Sequence, residues 1–189
     1  MAGMFEGTES AVVIAVPAAE RAVKEHRARF DRAAAWGVPA HVTVLYPFVP
    51  PAELDEDVLR TLAEAARTVP RFRAEWNATG WFGEDVLWLA PDPVEPFRAL
   101  TTAVFRAFPD FPPYSGEYED LTPHLTVASD ATPAEMRAVE RQVREHLPIS
   151  MLITDVQLMC GSLAPNSWRT VRTVDLGGSA HDEVEEVFA

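Results

Sequence analysis

Short apolar runs alternate along this chain with longer stretches in which apolar residues recur every three or four positions. Ala11 to Val16 is apolar throughout and is closed by Pro17, the pattern of a buried strand. From 18 to 34 the stripe Ala19, Val23, His26, Phe30 and Ala33 predicts one amphipathic helix, ended by Gly37 and Pro39. A strand follows at His41-Val42-Thr43-Val44. After Pro50-Pro51, the residues Leu54, Val58, Leu62, Ala65 and Val69 predict a helix over 53–68, with Glu53, Asp55, Glu56 and Asp57 at its positive end. Phe72 to Phe82 and Val86 to Ala90 read as strands joined at Gly83-Glu84-Asp85.

At that point the order starts again. Val86 to Pro91 repeats the apolar strand stopped by proline. A helix carrying Phe97, Leu100, Thr101, Val104, Phe105 and Phe108 on one face follows, and then a second histidine strand, His124-Leu125-Thr126-Val127. Thr132-Pro133-Ala134-Glu135 has the form of a capping box with proline at the first helical position, opening a helix with Met136, Val139, Val143 and Leu147 on its buried face. Strands near 150–160 and 168–176 complete the chain. Each half therefore reads strand, helix, histidine strand, helix, strand, with one extra strand at the end. The halves span about 10–82 and 84–176, and 177–189 is a polar tail.

This order predicts an α/β (α+β) fold forming a single bilobal domain, with two lobes related by a pseudo-two-fold axis and a cleft between them. Pro17 and Pro91 lie 74 residues apart, whereas His41 and His124 lie 83 apart, so the second half has nine further residues before its histidine. The irregular aromatic loop 109–120 is the place for them.

In an extended strand alternate side chains share a face, so His41 stands beside Thr43, and His124 beside Thr126, with apolar residues anchoring each strand from behind. Imidazole titrates near neutrality and serves as either acid or base. Two imidazoles on opposite walls of a cleft suit displacement at phosphorus, where one oxygen loses a proton and the opposite oxygen gains one. Threonine hydroxyls one strand step away are placed to bind the non-bridging oxygens.

Composition narrows the ligand. The net charge is −13, which disfavours a long nucleic acid track and is easier to reconcile with a small nucleotide-like ligand. A lone cysteine, Cys160, in an apolar run excludes an internal disulfide and reads as a packed thiol. Two histidines without a third ligand at suitable spacing fall short of a catalytic zinc site, so no metal and no cofactor are expected. No apolar run approaches the length of a membrane span and no leader pattern opens the chain, so a cytoplasmic monomer without membrane association is expected.

The paired HxTx motifs, in a duplicated chain of this length, resemble the 2H phosphoesterases, the superfamily that includes 2′-5′ RNA ligases and cyclic nucleotide phosphodiesterases. Gly37-Val38-Pro39-Ala40-His41-Val42-Thr43-Val44-Leu45-Tyr46-Pro47-Phe48 is similar to the 2′-5′ RNA ligase-like branch, and the resemblance runs from about Ser10 to Gly177. It implies a metal-independent phosphodiesterase acting on a 2′,3′-cyclic phosphate or a 2′-5′ phosphodiester, with reverse 2′-5′ ligation. It also implies His41 and His124 as acid and base, in an order left open, and Thr43 and Thr126 as phosphate binders. The alternative is a binding module of the same fold that holds nucleotides or RNA ends without turnover.

Further candidates for substrate contact are Tyr46 and Phe48 after the first motif, Tyr114 and Tyr118 in the aromatic loop, and Arg169 on the last strand. Arg169 and Arg172 fall on different faces of that strand, so at most one reaches a phosphate. His26 reads as a core or boundary residue, and His146 as a helix-end cation.

Overall fold

The computed structural model describes residues 5–117 and 121–178. Tyr118 and all but the first two residues of the expected tail lie outside the described residues. The elements, in chain order, are β1 (Glu9–Ala15), α1 (Glu20–Phe30), α2 (Arg32–Trp36), β2 (His41–Leu45), α3 (Glu56–Arg67), β3 (Phe72–Phe82), β4 (Val86–Asp92), α4 (Glu95–Ala107), β5 (Leu125–Ala128), α5 (Pro133–Arg144), β6 (Ile149–Ile153), β7 (Asp155–Gly161) and β8 (Arg169–Asp175).

Two four-stranded antiparallel sheets result, ordered β2-β1-β7-β8 and β5-β4-β3-β6. Each histidine strand is an edge strand of its sheet, and β2 touches β5. The helices cross over: α1 packs against β5, while α4 packs against β2. One apolar core runs through both lobes, with Leu62, Trp76, Leu100, Leu125 and Leu158 fully buried. Among the described residues no helix is long and apolar enough to cross a membrane.

The duplication extends to an irregularity. Val12 and Val13 pair with Leu45 and Thr43, leaving Val44 without a partner on β1. Leu87 and Trp88 pair with Ala128 and Thr126, leaving Val127 without one on β4. A β-bulge therefore falls on the last residue of both HxTx motifs, and the two residues after each threonine are buried in succession.

Three expectations are corrected. The helix expected over 18–34 is broken at Asp31, whose extended backbone lets its carboxylate cap α2 by accepting from Ala33 N at 3.0 Å. The helix expected from 53 starts at Glu56, because Asp55 caps it at Val58 N (2.8 Å) after a short turn at Pro51–Glu53. Two strands, not one, follow the repeat, since the chain leaves the second sheet at Thr154 and enters the first as β7. Moreover, the sheets do not divide the chain between its halves. β3 belongs to the first half in sequence but to the second sheet in space, and β1 is sandwiched between β2 and the late strand β7. The capping box forms as expected, with Thr132 Oγ1 accepting from Glu135 N at 3.3 Å and Glu135 accepting from Thr132 N at 3.0 Å.

Candidate active site

The approach to His41 is held from several sides. Glu20 accepts from Ala40 N at 2.8 Å, and Val16 N donates to Ala40 O at 2.7 Å. Val38 N donates to Ala33 O at 2.9 Å, while Val38 O accepts from the Arg27 guanidinium at 3.2 Å. Arg27 is itself buried against Asp31, Nε to Oδ2 2.8 Å. The chain thus enters β2 with its backbone groups paired, and the imidazole inherits that definition. His41 Nδ1 donates to Pro39 O at 2.8 Å.

His124 repeats the arrangement, with Nδ1 donating to Thr122 O at 2.7 Å. A carbonyl accepts only, so both hydrogen bonds require the proton on Nδ1 and leave Nε2 of each neutral ring as the basic nitrogen. His124 also stands edge-on to Phe82, with ring centroids 4.9 Å apart, and beside Trp88 at 6.1 Å. Trp88 stacks on Phe82 and lies across Gly80, where a Cβ would overlap the indole. The far end of β5 is tied to the other lobe, since Ser129 N and Asp130 N both donate to Phe30 O, at 2.7 and 3.0 Å.

Three cavities meet at these residues. One, of about 250 Å³, is lined by Thr43 and His124 together, with Tyr114, Thr122, Arg98, Thr101 and Thr102 beyond them. A second, of about 220 Å³, lies on the His41 side and is walled by Val13, Trp36, Val38, Tyr46, Met159 and Trp168. The third, of about 490 Å³, holds His124, Thr126, Phe82, Val86, Tyr114 and Ser129. Both motifs therefore open onto one cleft. Among the described residues no three His, Cys, Asp or Glu side chains are grouped as metal ligands.

Burial pushes His41 down to about 4, and the Arg27 guanidinium and the second imidazole add to that, outweighing the Pro39 hydrogen bond. His124 is also lowered, chiefly by burial, against the opposing hydrogen bond to Thr122. Without an anion between them the imidazoles are neutral at pH 7. A phosphate in the cleft would draw one of them toward its charged form. Such a pair is equipped to take a proton at one Nε2 and give one at the other.

Among the remaining sequence candidates, Tyr46 lines the His41-side cavity and donates from its hydroxyl to Glu9 at 2.7 Å, and burial with that bond pushes the phenol up to about 12. Tyr114 lines the two cavities shared with His124, from a short turn in which it and Ser115 have left-handed backbone (φ 50° and 56°). Phe48 does not face the cleft. It is buried in the core, edge-on to Phe108 at 4.8 Å. Arg169 also points away: it pairs with Cys160, whose side chain is in the core, and its guanidinium donates to Trp168 O at 2.7 Å. Arg172 meets Glu56 at 3.7 Å. Tyr118 is outside the described residues. Sequence reasoning overlooked Trp36, Phe82, Trp168 and Arg98, which come to the cleft from four separate elements or loops, and Trp88, which backs Phe82 and His124. Arg98 and Thr102 alone had a readable signal, four residues apart on the side of the helix away from Phe97, Leu100 and Val104, whereas Thr101 borders the apolar face.

The profile of the 2′-5′ RNA ligase superfamily matches residues 15–161. No curated protein matches the sequence. Among solved structures, Escherichia coli LigT complexed with 3′-AMP is 20% identical, with a TM-score of 0.56 over 91% of this chain and 99% of LigT. A Thermus thermophilus protein is 18% identical, with a TM-score of 0.58 over 90% of this chain and 99% of its own. At such identities the structures attest the shared fold, whereas the profile spans most of this sequence. The chain belongs to the 2′-5′ RNA ligase superfamily of 2H phosphoesterases.

Proposed function

We propose that the chain is a metal-independent phosphodiesterase that opens a 2′,3′-cyclic phosphate or cleaves a 2′-5′ phosphodiester on a small nucleotide or short RNA end, working as a cytoplasmic monomer. One observation carries the reading: both imidazoles bind the carbonyl two residues upstream through Nδ1, so both Nε2 atoms are left for substrate, His124 in the cavity it shares with Thr43 and His41 in the cavity that adjoins it at Thr43. His41 is the base. It is held neutral by burial and by the neighbouring Arg27, so its Nε2 takes the proton of the attacking water. His124 is the acid, charged when the anionic substrate binds, and its Nε2 proton passes to the departing 2′ or 3′ oxygen. The water oxygen forms the new P–O bond as the ring P–O bond breaks, and solvent then resets both histidines. Thr43 and Thr126 donate to the non-bridging oxygens. Ligation is the same ring opening with a 5′-hydroxyl in place of water, the 5′ oxygen forming the new P–O bond as the ring bond to the 3′ oxygen breaks, and cleavage of a 2′-5′ phosphodiester is that step reversed.

The His41-side cavity has three aromatic walls, Trp36, Tyr46 and Trp168, which suit a base or sugar. That E. coli LigT was crystallised with 3′-AMP agrees with a nucleotide of this size. The test is incubation of the purified chain with adenosine 2′,3′-cyclic phosphate in a chelator, with separation of the 2′- and 3′-monophosphates. Formation of one isomer supports the reading. Tight retention of the nucleotide without product would favour the binding module instead.

A further inference from the structure

The cavity shared by Thr43 and His124 continues past the reacting groups onto one face of α4, where it meets Arg98, Thr101 and Thr102. Arg98 is the one permanently charged side chain among the described residues that line the three cavities. Its guanidinium makes no ion pair or hydrogen bond with another described residue. Thr102 is exposed on the same face, and its hydroxyl has no partner among the described residues. Thr101 donates to Phe97 O at 3.3 Å and keeps its lone pairs free.

A chain of net charge −13 repels anions at a distance, so an anionic ligand is held by local cations or not at all. The reacting phosphate already has two imidazoles and two hydroxyls. Arg98 lines neither the aromatic cavity with His41 nor the one with Thr126. It flanks the site and presents a planar fork that matches two phosphate oxygens at once.

We propose that Arg98 and Thr102 form a subsite for a second phosphate, so that the preferred substrates are nucleotides or oligonucleotide ends bearing a phosphate besides the one that reacts. This deepens the phosphodiesterase reading and rests on it for the position of the reacting phosphate. Nucleoside cyclic monophosphates would bind without filling the subsite.

Calorimetric titration of the full chain with adenosine 3′,5′-bisphosphate and with adenosine 3′-monophosphate tests it. The wild type should bind the bisphosphate about tenfold or more tightly. Arg98→Gln should cut that preference to about twofold, and Arg98→Lys should restore part of it, because charge returns without the fork. Equal affinities in the wild type, no binding of either ligand, a preference that survives Arg98→Gln, or equal weakening of both ligands would overturn the proposal. Binding requires no turnover. A chain that shows the Arg98-dependent preference but never opens a cyclic phosphate would lose the proposed activity and keep the subsite. A chain that hydrolyses cyclic phosphates without the preference would do the reverse.

Discussion

Arg27 and Asp31 form an ion pair at 2.8 Å, buried beneath the segment that delivers His41 to the cleft. The guanidinium also binds Val38 O, and the carboxylate caps α2, so the pair joins two helices to the first histidine strand. Removing one partner strands the other charge in the interior. Arg27→Met or Asp31→Ala alone should therefore cost about 3–5 kcal/mol in urea unfolding. The double variant Arg27→Met/Asp31→Leu should recover most of that loss, because an apolar pair leaves no unmatched charge. Arg27→Met should also raise the titration midpoint of His41, read by NMR, since a neighbouring cation is gone.

Stability should depend on pH through His41 in a defined direction. Its folded value near 4 lies below the unfolded value of about 6.5, so between these pH values the unfolded chain binds more protons. The contribution is present above about pH 6.5 and is lost as pH falls toward 4. His124, also lowered, acts with the same sign. Urea midpoints at pH 7 and 4.5 should show a smaller loss for His41→Gln than for the wild type. A larger loss in the variant would contradict the burial assigned to His41.

The threonines separate binding from folding. Thr43 and Thr126 sit at the cleft face of edge strands, half-buried and bulged at the next residue. Thr43→Val and Thr126→Val keep the β-branched shape and remove only the hydroxyl. Each should lower kcat by about 10²–10³-fold while leaving the thermal midpoint nearly unchanged. Activity within twofold of wild type would show that the hydroxyls do not touch the phosphate.

Gly80 offers a test of the wall behind His124. A Cβ there would overlap the Trp88 indole, which stacks on Phe82 and neighbours the imidazole. Gly80→Ala should displace that ring and reduce kcat about tenfold or more with little change in circular dichroism. Gly83→Ala, in the adjoining turn, meets almost nothing within contact range, but it strains a backbone at φ 58°. It should therefore cost stability with little effect on turnover.

The elements legible in the sequence were those with a local cause. Alternating burial put Val42 and Val44 behind the first motif and Leu125 and Val127 behind the second, and Thr132 to Glu135 closed its box unaided. What was hidden depends on distant partners. Arg27 interrupts the stripe between Val23 and Phe30 and reads as a solvent residue until Asp31 and Val38 O surround it. Thr154 and Asp155 are two polar residues in a mostly apolar stretch, and only the pairing of β6 with β3 and of β7 with β1 makes Thr154 the crossing between sheets. Phe48 follows the motif closely yet faces inward, because the turn after β2 directs it onto Phe108. Trp36 and Trp168 carry no mark that distinguishes a cleft wall from core.

The most direct measurement is steady-state hydrolysis of adenosine 2′,3′-cyclic phosphate in a chelator by the wild type, His41→Ala and His124→Ala. Turnover should persist in the chelator, follow a bell-shaped pH profile, and fall by about 10³-fold or more in each variant. Variants as active as the wild type, or wild-type activity abolished by the chelator, would contradict a reaction carried by these two imidazoles.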